Sequence, residues 1–153
     1  MAENLDYNDE GSVCYEGDDA NCATYGRLYT WEAAGSVCPS GWRLPSKADY
    51  DSLKVSVGVS YAPIKATSGW SASLGNGTDV YGFSLLPNGS GRVSGDTIAY
   101  SDAGAKASLW TASESTFGDS YSYIFNVEWT SSGQFDGTLL AWGNYSGVRC
   151  VKE

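Results

Sequence analysis

The stretch Tyr29-Thr30-Trp31-Glu32-Ala33-Ala34, followed by Cys38-Pro39-Ser40-Gly41-Trp42-Arg43-Leu44-Pro45, decides the fold once it is set beside Gly147-Val148-Arg149-Cys150-Val151 far downstream. It reads as a short helix ending near a cysteine, a tight Gly41-Trp42-Arg43-Leu44-Pro45 turn, a second helix, and a last strand carrying a further cysteine. Thr30 is placed to cap the first helix, and Trp31 and Ala34 share one face of about two turns. Ser46 with Asp49 three residues later makes a capping-box-like start for the second helix. Its apolar face is Tyr50, Leu53 and Val57. Both helices are short, so packing must hold them.

The chain of 153 residues fits a single domain spanning 1–153. Six Trp and eleven Tyr against few Leu and Ile, with abundant Gly and Ser, predict many turns and short strands. A net charge of −9 argues against nucleic acid or anionic membranes as partners. The chain has no histidine, which excludes Ser-His-Asp and Cys-His catalysis and any histidine-bearing metal site. Cys14, Cys22, Cys38 and Cys150 lack zinc-ligand spacing. An even count with one local and one long-range pair reads as disulfides, and so as an oxidising compartment. Of the three pairings open to four cysteines, Cys14 with Cys22 and Cys38 with Cys150 is the expected set. The long bridge would close a loop of about 110 residues, worth roughly 4–5 kcal/mol in the chain-entropy model. No run is long enough to span a bilayer, and the start Met1-Ala2-Glu3-Asn4 is polar, so an export signal is expected outside this sequence.

Residues 1–23 read as an acidic, turn-rich start, and 26–29 as a short strand. Further strands are expected at 82–86, 109–113, 122–129 and 147–152, with 71–79 and 87–106 as long loops. Within 122–129, Tyr123, Phe125, Val127 and Trp129 fall on one face, and Ile124 breaks the polar alternation of the other.

Ala2-Glu3-Asn4-Leu5-Asp6-Tyr7, Tyr25-Gly26-Arg27-Leu28-Tyr29-Thr30-Trp31, the Cys38–Pro45 turn, Ala66-Thr67-Ser68-Gly69-Trp70, Gly75-Asn76-Gly77-Thr78-Asp79, Tyr81-Gly82-Phe83-Ser84, Trp110-Thr111-Ala112-Ser113-Glu114 and Val148-Arg149-Cys150-Val151 follow in order. Together they resemble the Fibrobacter succinogenes major paralogous domain, nearly end to end. The resemblance implies an α+β, C-type-lectin-like fold, related to formylglycine-generating enzymes. Two short helices would pack on a small, twisted, mostly antiparallel sheet. It also implies a bacterial protein outside the cytoplasm, extracellular or at the cell surface. Members usually carry an upstream strand ending in a Trp just before the Met-Ala-Glu-Asn segment, and this sequence starts at that Met1. A missing first strand would leave a sheet edge open for pairing.

Formylglycine-generating activity needs reactive cysteines, and these are expected in disulfides. Glu114, Asp119, Glu128 and Asp136 show no spacing that singles out a glycosidase pair, so they read as surface acids. The chain is therefore expected not to be an enzyme and to need no cofactor. Calcium is the alternative: Asn76 and Asp79 could supply oxygens, although the same loop suits a simple turn. Arg43 and Arg149 are expected to bond carboxylates or carbonyls within the fold. In this fold class the loops before the last strand face the ligand, which draws attention to Phe117, Asp119, Tyr121, Tyr123, Trp129, Phe135, Trp142, Asn144 and Tyr145. Asp119, Tyr121, Trp142, Asn144 and Tyr145 are the expected ligand-binding set, while Trp31, Trp42, Trp70, Trp110 and Trp129 are expected to be structural. Aromatic faces beside Asn and Asp suit a glycan or a surface protein. The expected function is a non-catalytic binding or adhesion module. A self-assembling surface subunit is the first alternative, and a carbohydrate-active enzyme is the last.

Overall fold

A computed structural model describes residues 1–58, 60–71, 75–116, 120–128 and 139–153. The elements run in chain order as β1 (Ser12–Val13), α1 (Asp19–Tyr25), β2 (Leu28–Tyr29), α2 (Trp31–Ala34), β3 (Trp42–Arg43) and α3 (Lys47–Val57). They continue as β4 (Asn88–Ser94), β5 (Thr97–Ala103), β6 (Ala107–Glu114), β7 (Tyr121–Val127), β8 (Leu139–Ala141), β9 (Ser146–Gly147) and β10 (Val151–Lys152). The fold is mixed, with few helices. A central sheet has the order β1-β2-β9-β6-β7-β8, and two small sheets pair β10 with β3 and β4 with β5. Pairing between these strands is antiparallel except between β6 and β9, where Leu109 faces Gly147.

The two helix starts form as their caps dictate. The Thr30 hydroxyl accepts from the Ala33 amide at 3.4 Å. At α3, Ser46 Oγ accepts from the Asp49 amide, and the Asp49 carboxylate accepts from the Ser46 amide at 2.7 Å, which closes a capping box. Arg43 adds a fork onto the same carboxylate at 2.7 and 3.1 Å. These bonds hold the Asp49 carboxyl well below the usual carboxylate range, the Arg43 hydrogen bond being the largest cause.

Strands β6 and β7 separate two cores. Trp110 and Ile124 point into one, with Tyr29, Ala33, Ala34, Val37, Leu44 and Val148. Leu109, Phe125 and Val127 point into the other, with Tyr50, Ile64, Trp70 and Leu85. Both faces are therefore covered, which explains why Ile124 interrupts a polar alternation: its face is buried as well. Trp110 is fully buried and its indole donates to the Tyr29 carbonyl at 2.7 Å. The apolar face of α3 seats as expected, with Tyr50 buried and stacked on Phe125 at 4.2 Å.

Two disulfides staple the chain. Cys14 joins Cys22, and Cys38 joins Cys150 across a sequence separation of 112. The first residues are fixed beside the last: the Met1 amino group donates to the Cys150 carbonyl at 3.0 Å, and the Leu5 amide to the Val148 carbonyl at 2.8 Å. Among the described residues the edges of the central sheet are β1 and β8, of two and three residues.

Several expectations need correction. The acidic start contains a helix, α1, because Asp18 caps it through the Ala20 amide at 2.9 Å. Residues 82–86 make only an isolated bridge, Lys65 to Leu85. The final strand expected at 147–152 is two short pieces, β9 and β10, serving different sheets. The largest difference is at 87–106, which is a β-hairpin rather than a loop.

Candidate functional site

The hairpin β4–β5 turns over two residues, Gly95 and Asp96, with Ser94 facing Thr97. It docks on the central sheet through Asn88, which is fully buried. Asn88 Nδ2 donates to the Ser108 carbonyl at 2.8 Å, and Asn88 Oδ1 accepts from the Ser108 amide at 3.0 Å. A second tie is a pair of backbone bonds between Gly91 and Tyr145, at 2.8 and 2.9 Å. Gly91 is needed there, since a Cβ would come within 2.9 Å of Ile98 Cγ2 and 3.2 Å of Tyr145 Cβ. A third tie runs from the Val93 amide to Asn144 Oδ1 at 2.8 Å.

Hairpin and sheet enclose a groove of about 390 Å³, between Ser90, Arg92, Ala99 and Ser101 on one wall and Ile124 and Leu140 on the other. Lys106 closes one end, with its ammonium 3.3 Å from the Glu128 carboxylate. The Tyr100 ring, which also reaches the groove lining, packs on Tyr15 with centroids 5.1 Å apart. Burial pushes both phenols up.

Of the residues expected from sequence, Tyr121 pairs with Ala141 beside Trp142, whose amide donates to the Ser120 carbonyl at 3.0 Å. Asn144 and Tyr145 lie beside the groove and hold the hairpin in place. Tyr121 is 44 % exposed, at the start of β7. Trp142 is half-buried and stacks on Trp31 at 4.5 Å with an interplanar angle of 13°, so it belongs to the packing around α2. Asp119 lies outside the described residues, as do Phe117, Trp129, Phe135 and Asp136. The groove residues Ser90, Arg92, Ser101 and Lys106 were missed because their segment reads as a loop. The available signal was Gly95-Asp96 between Arg92-Val93 and Ile98-Ala99-Tyr100, a two-residue hairpin turn with Gly95 at φ 60°.

The loop considered for calcium is engaged with the fold. Asn76 Oδ1 accepts from the Trp70 amide at 3.2 Å. Asp79 accepts from the Ser84 amide at 2.7 Å and from the Ser84 hydroxyl at 2.5 Å. Among the described residues no group of three or more Cys, Asp or Glu side chains is placed to hold a metal. Arg149 is buried, donates to Asn4 Oδ1 at 3.0 Å and to the carbonyls of Phe83 and Ser84, and lies over the Phe83 ring. Burial brings its guanidinium down to about 10. It links residues 1–6, the 79–84 turn and the C-terminal strand, and so is a structural cation.

The chain belongs to the Fibrobacter succinogenes major domain family, whose sequence pattern matches residues 1–152. No curated protein and no solved structure gave a match.

Proposed function

We propose that this chain is a non-catalytic binding module of an exported bacterial protein, built on a C-type-lectin-like scaffold, and that it holds a glycan residue in the hairpin groove. The observation that carries the reading is the groove itself. Its volume of about 390 Å³ falls within the roughly 300–1,000 Å³ of small-ligand sites. Ser90 and Ser101 offer hydroxyls over the apolar side chains of Ile124 and Leu140, which matches the hydroxyl edge and C–H face of a sugar ring. Two disulfides favour an oxidising compartment. Among the described residues no helix is long and apolar enough to cross a membrane. Self-assembly is the competing reading, and the shortness of the edge strand β1 weighs against it, since short edges template pairing poorly.

A glycan array with the oxidised protein, repeated with Ala99→Trp, tests the proposal. Ala99 is exposed on the groove side of β5, so the indole fills the site without entering a core. The expected result is array binding that Ala99→Trp abolishes while the melting midpoint is unchanged. Binding that survives the filled groove refutes the assignment.

A further inference from the structure

We infer that the groove selects a sugar bearing a carboxylate, with Arg92 as the group that pairs with it. The inference rests on the groove being the binding site and adds the ligand's charge. Its basis is the alternation of side chains across the hairpin. Residues opposite each other in register share a face. Arg92 faces Ala99 and Ser90 faces Ser101, on the side from which Asn88 reaches Ser108 of β6. Gly91 faces Tyr100 and Val93 faces Ile98 on the other side, where Tyr100 lies against Tyr15. Asp102 also acts towards Tyr15, raising that phenol after the larger effect of burial. Arg92 is exposed and lines the groove with Ser90, Ala99 and Ser101, and Tyr100 and Asp102 also reach its lining.

The cations elsewhere show why Arg92 stands out. Arg27 pairs with Asp6, Arg43 with Asp49, and Lys47 with Asp51. Lys106, at the end of the groove, is held by Glu128, and Arg149 is bonded to carbonyls. Arg92 has no ion pair or side-chain hydrogen bond among the described residues; Lys152 shares this, but only Arg92 of the two lines the groove. The chain has 18 acidic and nine basic side chains, so an unneutralised guanidinium at a groove departs from its general balance. The planar fork of arginine fits a carboxylate with two parallel N–H···O bonds, which a hydroxymethyl group cannot match. Ser90 and Ser101 would then meet the ring hydroxyls, and Leu140 the C–H face.

The test compares methyl glucuronide with methyl glucoside, which differ at C6 only, in amide-resolved NMR titrations of the oxidised full chain. Sodium acetate serves as the plain anion. Glucuronide is expected to shift the amides of residues 90–92, 99–101, 124 and 140 and to bind more tightly than glucoside. Arg92→Gln should weaken glucuronide about tenfold or more and leave glucoside unchanged, as loss of a charge-assisted hydrogen bond predicts. Arg92→Lys, which keeps the charge and loses the fork, should fall between them. Equal binding of the two sugars at these amides would keep the groove and overturn the selection for a carboxylate. Acetate acting as strongly as glucuronide would overturn the sugar. Shifts confined to other residues, or no shifts with any probe, would overturn the groove reading together with this one.

Discussion

Gly77→Ala should destabilise the protein more than any ordinary loop substitution. A Cβ at this position would lie 2.0 Å from the Lys65 carbonyl oxygen, 2.4 Å from Lys65 Cβ and 2.5 Å from its carbonyl carbon. Two of those three atoms are backbone, and that backbone is fixed by bonds from the Lys65 amide to Tyr61 and from the Ala66 amide to Leu85. The 75–78 loop must therefore lift. Lifting strains or breaks Gly77 N–H to the Ala66 carbonyl at 2.8 Å, Thr78 N–H to Ala62 at 2.8 Å, and Lys65 Nζ to Gly75 at 2.7 Å. Overpacking of this kind costs about 1–3 kcal/mol, and each lost hydrogen bond adds about 1 kcal/mol. A total of about 3 kcal/mol lowers the melting midpoint by roughly 6–12 °C in a chain of this size. Gly75→Ala is the internal control. Gly75 has φ +67° with no described atom within 4 Å of the added methyl, so the left-handed backbone penalty of about 1–2 kcal/mol applies. Calorimetry of both oxidised variants, with and without EDTA, separates the cases. If Gly77→Ala melts no lower than Gly75→Ala, the loop does not lie on Lys65 and the reasoning fails. If EDTA lowers the wild-type midpoint, Asn76 and Asp79 are not confined to their bonds with Trp70 and Ser84.

Replacing Cys38 and Cys150 together by Ser should remove roughly 4–5 kcal/mol, against about 2.5 kcal/mol for Cys14 with Cys22, since loop entropy grows with the logarithm of the closed length. Urea unfolding of the two double variants checks the order, and equal losses would contradict the entropic account. Stability should also fall in alkali. Burial pushes Tyr29 and Tyr61 each up to about 12, against about 10 in the unfolded chain. The folded state favours the neutral phenol, so this contribution is intact below pH 10 and declines as pH rises from about 10 to about 12. Unfolding free energies alongside tyrosinate absorbance test this, and a flat profile across that window would refute it.

What could be read from sequence follows how local each determinant is. The Thr30 cap and the Ser46–Asp49 box depend on residues three apart, and both form as read. The cysteine pairing was legible as one local and one long-range set. Strand β7 was placed within a residue or two, but its second buried face was not foreseen, because that depends on what packs over Ile124. The hairpin was missed for a physical reason: β4 is Asn-Gly-Ser-Gly-Arg-Val-Ser, with low strand propensity, and it is held by Asn88 and Tyr145 rather than by apolar side chains of its own. The ligand-binding set was read from the loops before the last strand. Trp142 instead stacks on Trp31, a contact between residues far apart in sequence that no pattern in either segment announces.

The Cys38–Cys150 bridge also has a mechanical meaning. Tension applied at the two ends of the chain loads β1 and β2, at one side of the central sheet, and then reaches the disulfide before it reaches β4 to β8. The separation of 112 residues inside the bridge then carries no load, because the covalent link is in parallel with it. Of the roughly forty residues outside, the Cys14–Cys22 bridge shields a further separation of 8, so extension is at most about 110 Å at the length of a stretched peptide, against roughly 500 Å for the unbridged chain. Strands β4 to β8, and the groove between them, all lie inside the shielded loop. A pull that peels away β1, α1 and β2 leaves that interval covalently spanned, so the force that strips these N-terminal elements does not draw the groove open along the chain.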